Sequence, residues 1–349
     1  MMPIRAFVAR QALRRTTSGW YDAGMRRRDF IAGMAGSVAP WPIAHAQHKV
    51  YRLGQLHAGT VASRAAMLAA FTQGMRDLGY VEGRNLIVAR RYADGRFERL
   101  PALVQELLAW KPDALLVSTT PGSLAAKAAT SNVPVVMVSV ADPIGAGLIA
   151  SLAQPGGNIT GVTNIGAELA GKRIEILKEI VPTASKIAVF INPADQNAAL
   201  QMDIARPAAD KLAVRLEPVL HIRSGADLKG AFEAAVRARA DAALRMLDPV
   251  ATELRTQTVQ LAAEYRLPVI YPFREDVAAG GLASYGANLP DQYRQAATFV
   301  HKIFNGTKPI DLPVEQPTKF DFAVNLNAAK ALGIIVPPTL LARASEVIE

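Results

Sequence analysis

The 349-residue chain contains no cysteine, only five histidines and few aromatic residues, 6% of the total. Without cysteine there is no thiolate nucleophile, no disulfide framework, no Cys-type zinc or iron–sulfur site, and no thiol to carry a bacterial lipid anchor. Beyond residue 46 the histidines are His48, His57, His221 and His301, and no two have the spacing of a His-Glu-x-x-His zinc motif. No Gly-x-Ser-x-Gly elbow is present. Gly145-Ala146-Gly147 lacks the third glycine of a dinucleotide fingerprint, and Gly306-Thr307-Lys308 lacks the upstream glycine of a P-loop. Pro155-Gly156-Gly157-Asn158 precedes a short strand instead of opening a helix. Each reads as turn chemistry. The sequence therefore carries no catalytic template, and no cofactor or metal is expected.

Acidic residues are also in deficit: 39 Lys and Arg face 30 Asp and Glu, a formal charge of +9. The excess is concentrated at the front. Residues 1–46 hold seven arginines (Arg5, Arg10, Arg14, Arg15, Arg26, Arg27 and Arg28) against Asp22 and Asp29. The remaining 303 residues keep 32 basic and 28 acidic side chains, spread without a basic stripe or interleaved aromatics, so no nucleic-acid partner is expected. The front segment has the layout of an export signal: the cluster Arg26-Arg27-Arg28, the apolar run from Phe30 to Ala39, and Ala44-His45-Ala46 before Gln47. Arg27-Arg28-Asp29-Phe30-Ile31 matches the twin-arginine pattern, with the general secretory route as the alternative. Met25 opens a signal of normal proportions and is a candidate true start. The apolar run is too short to span a bilayer, which takes about 20 residues. No later stretch is apolar for 18 residues. The mature chain is expected to be periplasmic, soluble, monomeric, and neither inserted in the membrane nor lipid-anchored.

From Val50 on, short β-rich runs alternate with helical patterns. Strands are expected at Val50–His57, Leu86–Tyr92, Ala114–Val117 and Val133–Val138, with helices over Ala62–Leu78, Leu100–Ala109 and Gly122–Ala129. After the Gly-rich stretch Pro155–Thr163 the alternation restarts. Helices are expected over Leu169–Ile180, Asn197–Leu212, Ala226–Ala238 and Ala251–Tyr265, and strands at Ile187–Asn192, Arg215–His221, Ala242–Leu247 and Val269–Tyr271. A tail with a helix over Asp291–Phe304, strands near Val314 and at Phe320–Asn325, and a helix over Asn327–Leu332 completes the units. This α/β pattern predicts two doubly wound parallel-sheet lobes with a ligand cleft between them.

The loops at strand carboxyl ends supply the candidate ligand-binding residues. In the first half these are Gln55, His57, Ser118, Thr119, Thr120, Ser123, Ser139 and Asp142; in the second, Asn192, Gln196, Asn197, Asp248, Phe273 and Arg274. Helix N-termini there can stabilise a ligand carboxylate. Asp142 and Asp248 can bind a ligand amine or act as an acid/base pair, Phe273 can stack on a ring, and Arg274 can clamp an anionic group. Plainer roles stand beside these: Ser123 and Asp195 as helix caps, Asp142 as a turn starter before Pro143, and Arg274 paired with Glu275.

Several stretches resemble a known family, the substrate-binding proteins of ABC transporters, in particular those related to the tryptophan-binding periplasmic type. They are 71–85 (Phe-Thr-Gln-Gly-Met-Arg-Asp-Leu-Gly-Tyr-Val-Glu-Gly-Arg-Asn), 153–164 (Ala-Gln-Pro-Gly-Gly-Asn-Ile-Thr-Gly-Val-Thr-Asn) and 315–320 (Glu-Gln-Pro-Thr-Lys-Phe). Gly281-Leu282-Ala283-Ser284-Tyr285-Gly286 and the ending 337–344 match as well, in order and at family spacing. The resemblance implies a type I periplasmic binding fold with three crossovers, near Thr163–Ala167, Gly286–Pro290 and Val314–Phe320. The first lobe would comprise 50–163 plus 290–315, and the second 168–286 plus 320–345. It implies a binding protein rather than an enzyme, one that captures an amino acid, small carboxylate or aromatic acid and delivers it to an ABC permease in the inner membrane. A ligand-sensing partner of a membrane receptor would use the same fold. The chain departs from aromatic-amino-acid binders at Asp248-Pro249 and Phe273-Arg274-Glu275, so the identity of the solute does not carry over.

Overall fold

The computed structural model describes residues 49–349. The expected export signal at 1–46 and the candidate start at Met25 lie outside the described residues.

Buried apolar runs set the strands. The first sheet contains β1 (Tyr51–His57), β2 (Leu86–Tyr92), β3 (Ala114–Ser118), β4 (Val135–Val140) and β5 (Ile159–Thr163), ordered β2-β1-β3-β4-β5 and parallel throughout. The residues of β3 are all buried, as a strand covered by helices on both faces requires. The second sheet contains β6 (Lys186–Ile191), β7 (Arg215–His221), β8 (Ala242–Arg245), β9 (Val269–Tyr271), β10 (Ala283–Ala287), β11 (Phe320–Asn325) and β12 (Glu346–Ile348). Its order is β12-β11-β10-β9-β8-β6-β7. Pro218 lies in β7, an edge strand, where a missing backbone donor costs no ladder bond.

The connecting helices are α1 (Val61–Asp77), α2 (Leu100–Ala109), α3 (Thr120–Ala129), α4 (Ala170–Ile180), α5 (Ala198–Lys211), α6 (Gly225–Arg237), α7 (Pro249–Glu253), α8 (Arg255–Glu264), α9 (Arg274–Ala278), α10 (Leu289–Phe304), α11 (Leu326–Ala331) and α12 (Pro338–Leu341). Although α10 follows β10 of the second sheet, it packs on α1 and on β3, β4 and β5. There Tyr293, Phe299 and Val300 share a core with Leu53, Met67, Phe71 and Leu116. The chain therefore passes between the lobes three times: after β5, after β10, and between Glu315 and β11. Arg173 of α4 ties two of these passages together. Its Nε donates to Tyr285 O at 2.9 Å and its Nη2 to Gly166 O at 3.0 Å. Burial lowers its pKa only to about 10, so it stays a cation at neutral pH.

Four details differ from the sequence reading. The expected helix over 251–265 is two, α7 and α8, broken at Leu254. β11 runs antiparallel to β10, because the chain re-enters the second lobe from the cleft side. The strand expected near Val314 is a single bridge, Val162 to Glu315. Finally, α9, α12 and β12 carry no periodic signal long enough to mark them.

Candidate functional site

The carboxyl ends of the two sheets face each other across a cavity of about 890 Å³, part of it open to solvent. Of the sequence-predicted residues, Thr119, Thr120, Ser139, Asn192, Gln196, Asn197, Asp248 and Phe273 line it.

On the first-lobe wall Thr119 (φ 69°) follows β3 and Ser139 (φ 59°) marks an irregularity near the end of β4. Left-handed backbone at non-glycine residues is strained and concentrates at functional sites. The turn at Thr119 aims the N-terminus of α3 into the cavity. Among the described residues no side chain caps that helix, and Thr119 Oγ1 is buried with no hydrogen-bond partner. An uncapped N-terminus beside an unpaired hydroxyl is an anion site in waiting. Arg64, in the first turn of α1, adds a cation to the same wall and is only 3% exposed.

The second-lobe wall is acidic. Asp248 ends the β8 loop and caps α7, accepting from Ala251 N at 2.8 Å through Oδ1. Its Oδ2 lies 2.9 Å from Arg245 Nη1, a charge contact without hydrogen-bond alignment. Arg245 is buried behind it and donates to Phe190 O at 3.1 Å. Gln201 of α5 fixes the approach to Asp248 by gripping Leu247 at both ends of its peptide, with 2.8 Å bonds to Leu247 N and O. Asp195 also lines the cavity, accepting from Asn197 N at 2.8 Å. Burial pushes its pKa up to about 6, against the lowering effect of the Asn197 bonds; the Asp248 charge adds to the rise. Apolar contact comes from Phe97, Pro121, Leu124, Leu247, Phe273 and Leu289.

Six expected residues lie elsewhere. The period of two along β1 puts Gln55 and His57 on the face with Leu53, beneath α1 and α10. His57 Nε2 is 3.5 Å from Gln55 Oε1, and burial, with Arg64 and Arg90 adding to it, lowers the imidazole pKa to about 3. Ser118 is fully buried in β3, its Oγ 3.5 Å from Leu56 O. Ser123 donates back to Thr119 O at 2.9 Å within α3. Asp142 accepts from Gly145 N at 2.8 Å as a turn starter and does not line the cavity. Arg274 pairs with Glu346 of β12 at 2.7 Å instead of entering the cavity or pairing with Glu275.

Arg64, Phe97, Asn164, Asp195, Thr252 and Leu289 were missed among the candidates. Arg64 had a signal: a cation in the first turn of a helix opposes the helix dipole and needs a reason. Asn164, at the first passage between lobes, accepts from Gly166 N at 2.9 Å and approaches Ser139 Oγ at 3.4 Å. Phe97 and Leu289 had no signal beyond their hydrophobicity.

Two α/β lobes, linked by three chain passages and lined with recognition groups at opposed strand ends, define a two-lobed binding protein. The family model of the ABC transporter substrate binding protein matches residues 61–348, and the chain belongs to that family. It is 26% identical over 262 residues, 75% of each chain, to the tyrosine-binding protein of Clostridioides difficile (strain R20291). Among solved structures it superposes with TM-score 0.80 on a conserved domain protein from Vibrio cholerae O1 biovar El Tor, at 28% identity over 86% of this chain and 100% of the other. It superposes with TM-score 0.79 on an ABC domain from Streptococcus pneumonia in complex with L-Trp, at 23% identity over 85% of this chain and 99% of the other. Two of these names carry an amino acid, tyrosine in the first and L-Trp in the last.

Proposed function

We propose that this protein is the periplasmic solute-binding component of an ABC importer, and that its solute is an α-amino acid with an apolar or aromatic side chain. One observation carries the reading: the cavity opposes an uncapped helix N-terminus and an unpaired Thr119 hydroxyl to the carboxylates of Asp195 and Asp248. The first wall suits a solute carboxylate, the second its ammonium group, and Phe97, Leu124 and Phe273 suit the side chain between them. The tyrosine and tryptophan in the names of two relatives support the same class. Closure of the lobes over the solute, export through the segment 1–46, a twin-arginine route, and delivery to an inner-membrane permease complete the proposal. Among the described residues no helix is long and apolar enough to cross a membrane.

A thermal-shift screen of the purified protein against the twenty amino acids, their deaminated acids and their decarboxylated amines tests it. A true solute at 100 times its dissociation constant adds about 2.7 kcal/mol of stability. Melting unmoved by every amino acid, or moved most by the acids or amines, overturns the reading.

Asp195 gives the binding a pH dependence. With its pKa near 6 in the empty site, the carboxyl is neutral below that pH and cannot pair with an ammonium group. Affinity is therefore expected to be full above about pH 7 and to fall as pH drops through 6, with proton release accompanying binding near pH 6. Titration calorimetry from pH 8 to 5 in buffers of different ionisation enthalpy checks both. A constant affinity across that range would remove Asp195 from the ammonium site.

A further inference from the structure

One polar contact between the lobes is made by a residue that does not line the cavity. Glu253, the last residue of α7 in the second lobe, reaches across to the start of α1 in the first. Its Oε1 accepts from Ser63 Oγ at 3.1 Å and from Arg64 Nη2 at 3.2 Å, and its Oε2 accepts from Thr60 N at 3.3 Å. Thr60 and Ser63 already form a reciprocal cap on α1, but the first turn of that helix contains no acidic residue of its own. The negative charge that a helix N-terminus favours is thus supplied from the opposite lobe. It also compensates Arg64, a buried cation whose Nε has no hydrogen bond among the described residues. The fit is close. A Cβ added at Gly59 would sit 2.2 Å from Glu253 Oε1, 2.6 Å from Ser63 Oγ and 2.8 Å from Arg64 Nε, so a side chain there disturbs the whole contact.

The position of Glu253 relative to the solute site gives this contact a purpose. α7 is only five residues long, with Asp248 capping one end and Glu253 closing the other. A short helix held at both ends moves as one piece. Whatever draws Asp248 toward the first lobe also seats Glu253 on α1, and releasing Glu253 withdraws Asp248. We propose that Glu253 is the positioning residue that latches the lobes together and so sets how long a bound solute stays. This rests on the reading of the protein as a solute binder whose lobes close, but the latch itself can be tested without a solute.

The absence of native cysteine allows a clean measurement of lobe separation. Ala102→Cys on α2 and Glu264→Cys on α8, both at exposed positions, accept one spin label per lobe. In the solute-free protein, Glu253→Gln is expected to shift the interlobe distance distribution to longer values. With L-tyrosine or L-tryptophan as probe, whichever binds, Glu253→Gln is expected to raise Kd about tenfold through koff, with kon changed less than about threefold. Gly59→Ala should act in the same direction, and its effect should shrink in a Glu253→Ala background to the part carried by Ser63 and Arg64, because the two changes share the Glu253 contact. Unchanged distances in Glu253→Gln, a loss carried by kon, or additive effects of the two substitutions would each overturn the latch. If neither probe binds the unmodified protein, the aromatic form of the amino-acid reading fails, and the solute-free distances still decide the latch.

Discussion

Asp248→Asn is expected to weaken amino-acid binding about 100-fold or more, close to 2.8 kcal/mol, and to destabilise the protein as well. The two losses have separate causes. An asparagine oxygen can still accept from Ala251 N, so the cap on α7 survives. The charge does not survive, and with it goes the counter-ion for a solute ammonium group. Arg245, 1% exposed, is then left facing a neutral amide at 2.9 Å. Breaking a buried pair by removing one partner costs about 3 kcal/mol, because the remaining charge is uncompensated; the nearby carboxylate of Asp276 reduces that cost. A second substitution separates the effects. Arg245→Met in the Asp248→Asn background should recover most of the lost stability and none of the affinity. Thermal melting and titration calorimetry on the two variants check this. Recovery of binding in the double variant would mean that Asp248 acts on Arg245 and not on the solute.

The largest expected effect on folding belongs to Gly161→Ala. Gly161 lies in β5 with φ at 137°, outside the range of L side chains, and pairs in register with Met137 of β4. A Cβ there would lie 2.1 Å from Met137 O and 2.8 Å from Met137 N. Both atoms are backbone of a buried strand, so no rotamer change relieves the clash. The neighbouring connection is also at stake, since Glu315 N donates to Gly161 O at 3.0 Å where the chain leaves for the second lobe. A loss of about 4 kcal/mol or more is expected, lowering the melting temperature by roughly 10 °C. Gly157→Ala, four residues away, meets nothing within 4 Å and should melt within about 2 °C of the unmodified protein. Equal melting of the two variants would show that β5 does not approach β4 as described.

The contrast between these two residues shows what a sequence makes legible. Strand ends were legible, because buried runs such as Ala114–Val117 stop where polar loops begin. Most loops at strand carboxyl ends face the cleft, so Thr119, Ser139, Asn192 and Asp248 were within reach, whereas Asp142 and Arg274 turn to Gly145 and Glu346 instead. Within a strand the direction of a side chain depends on register, and a shift of one residue reverses it. That is why Gln55, His57 and Ser118 belong to a covered face and not to the cavity. Arg64 and Glu253 were harder still. They come from helices 189 positions apart whose meeting depends on how two lobes are set, and no local pattern encodes that. The break after α7 has no glycine or proline to announce it.

The three passages between lobes have a consequence for how the chain is made. The first sheet is finished by residue 163, but its α1 face stays uncovered until α10 is synthesised. The hydrogen bond from Tyr51 Oη to Phe304 O, spanning 253 positions, shows how late that cover arrives. The second sheet waits longer, because β11 and β12 are the last strands to appear. Neither lobe corresponds to a contiguous stretch that could mature while the ribosome is still adding residues. Emerging chains must therefore carry two incomplete apolar faces until nearly the whole polypeptide is available, the period in which protection from aggregation matters most.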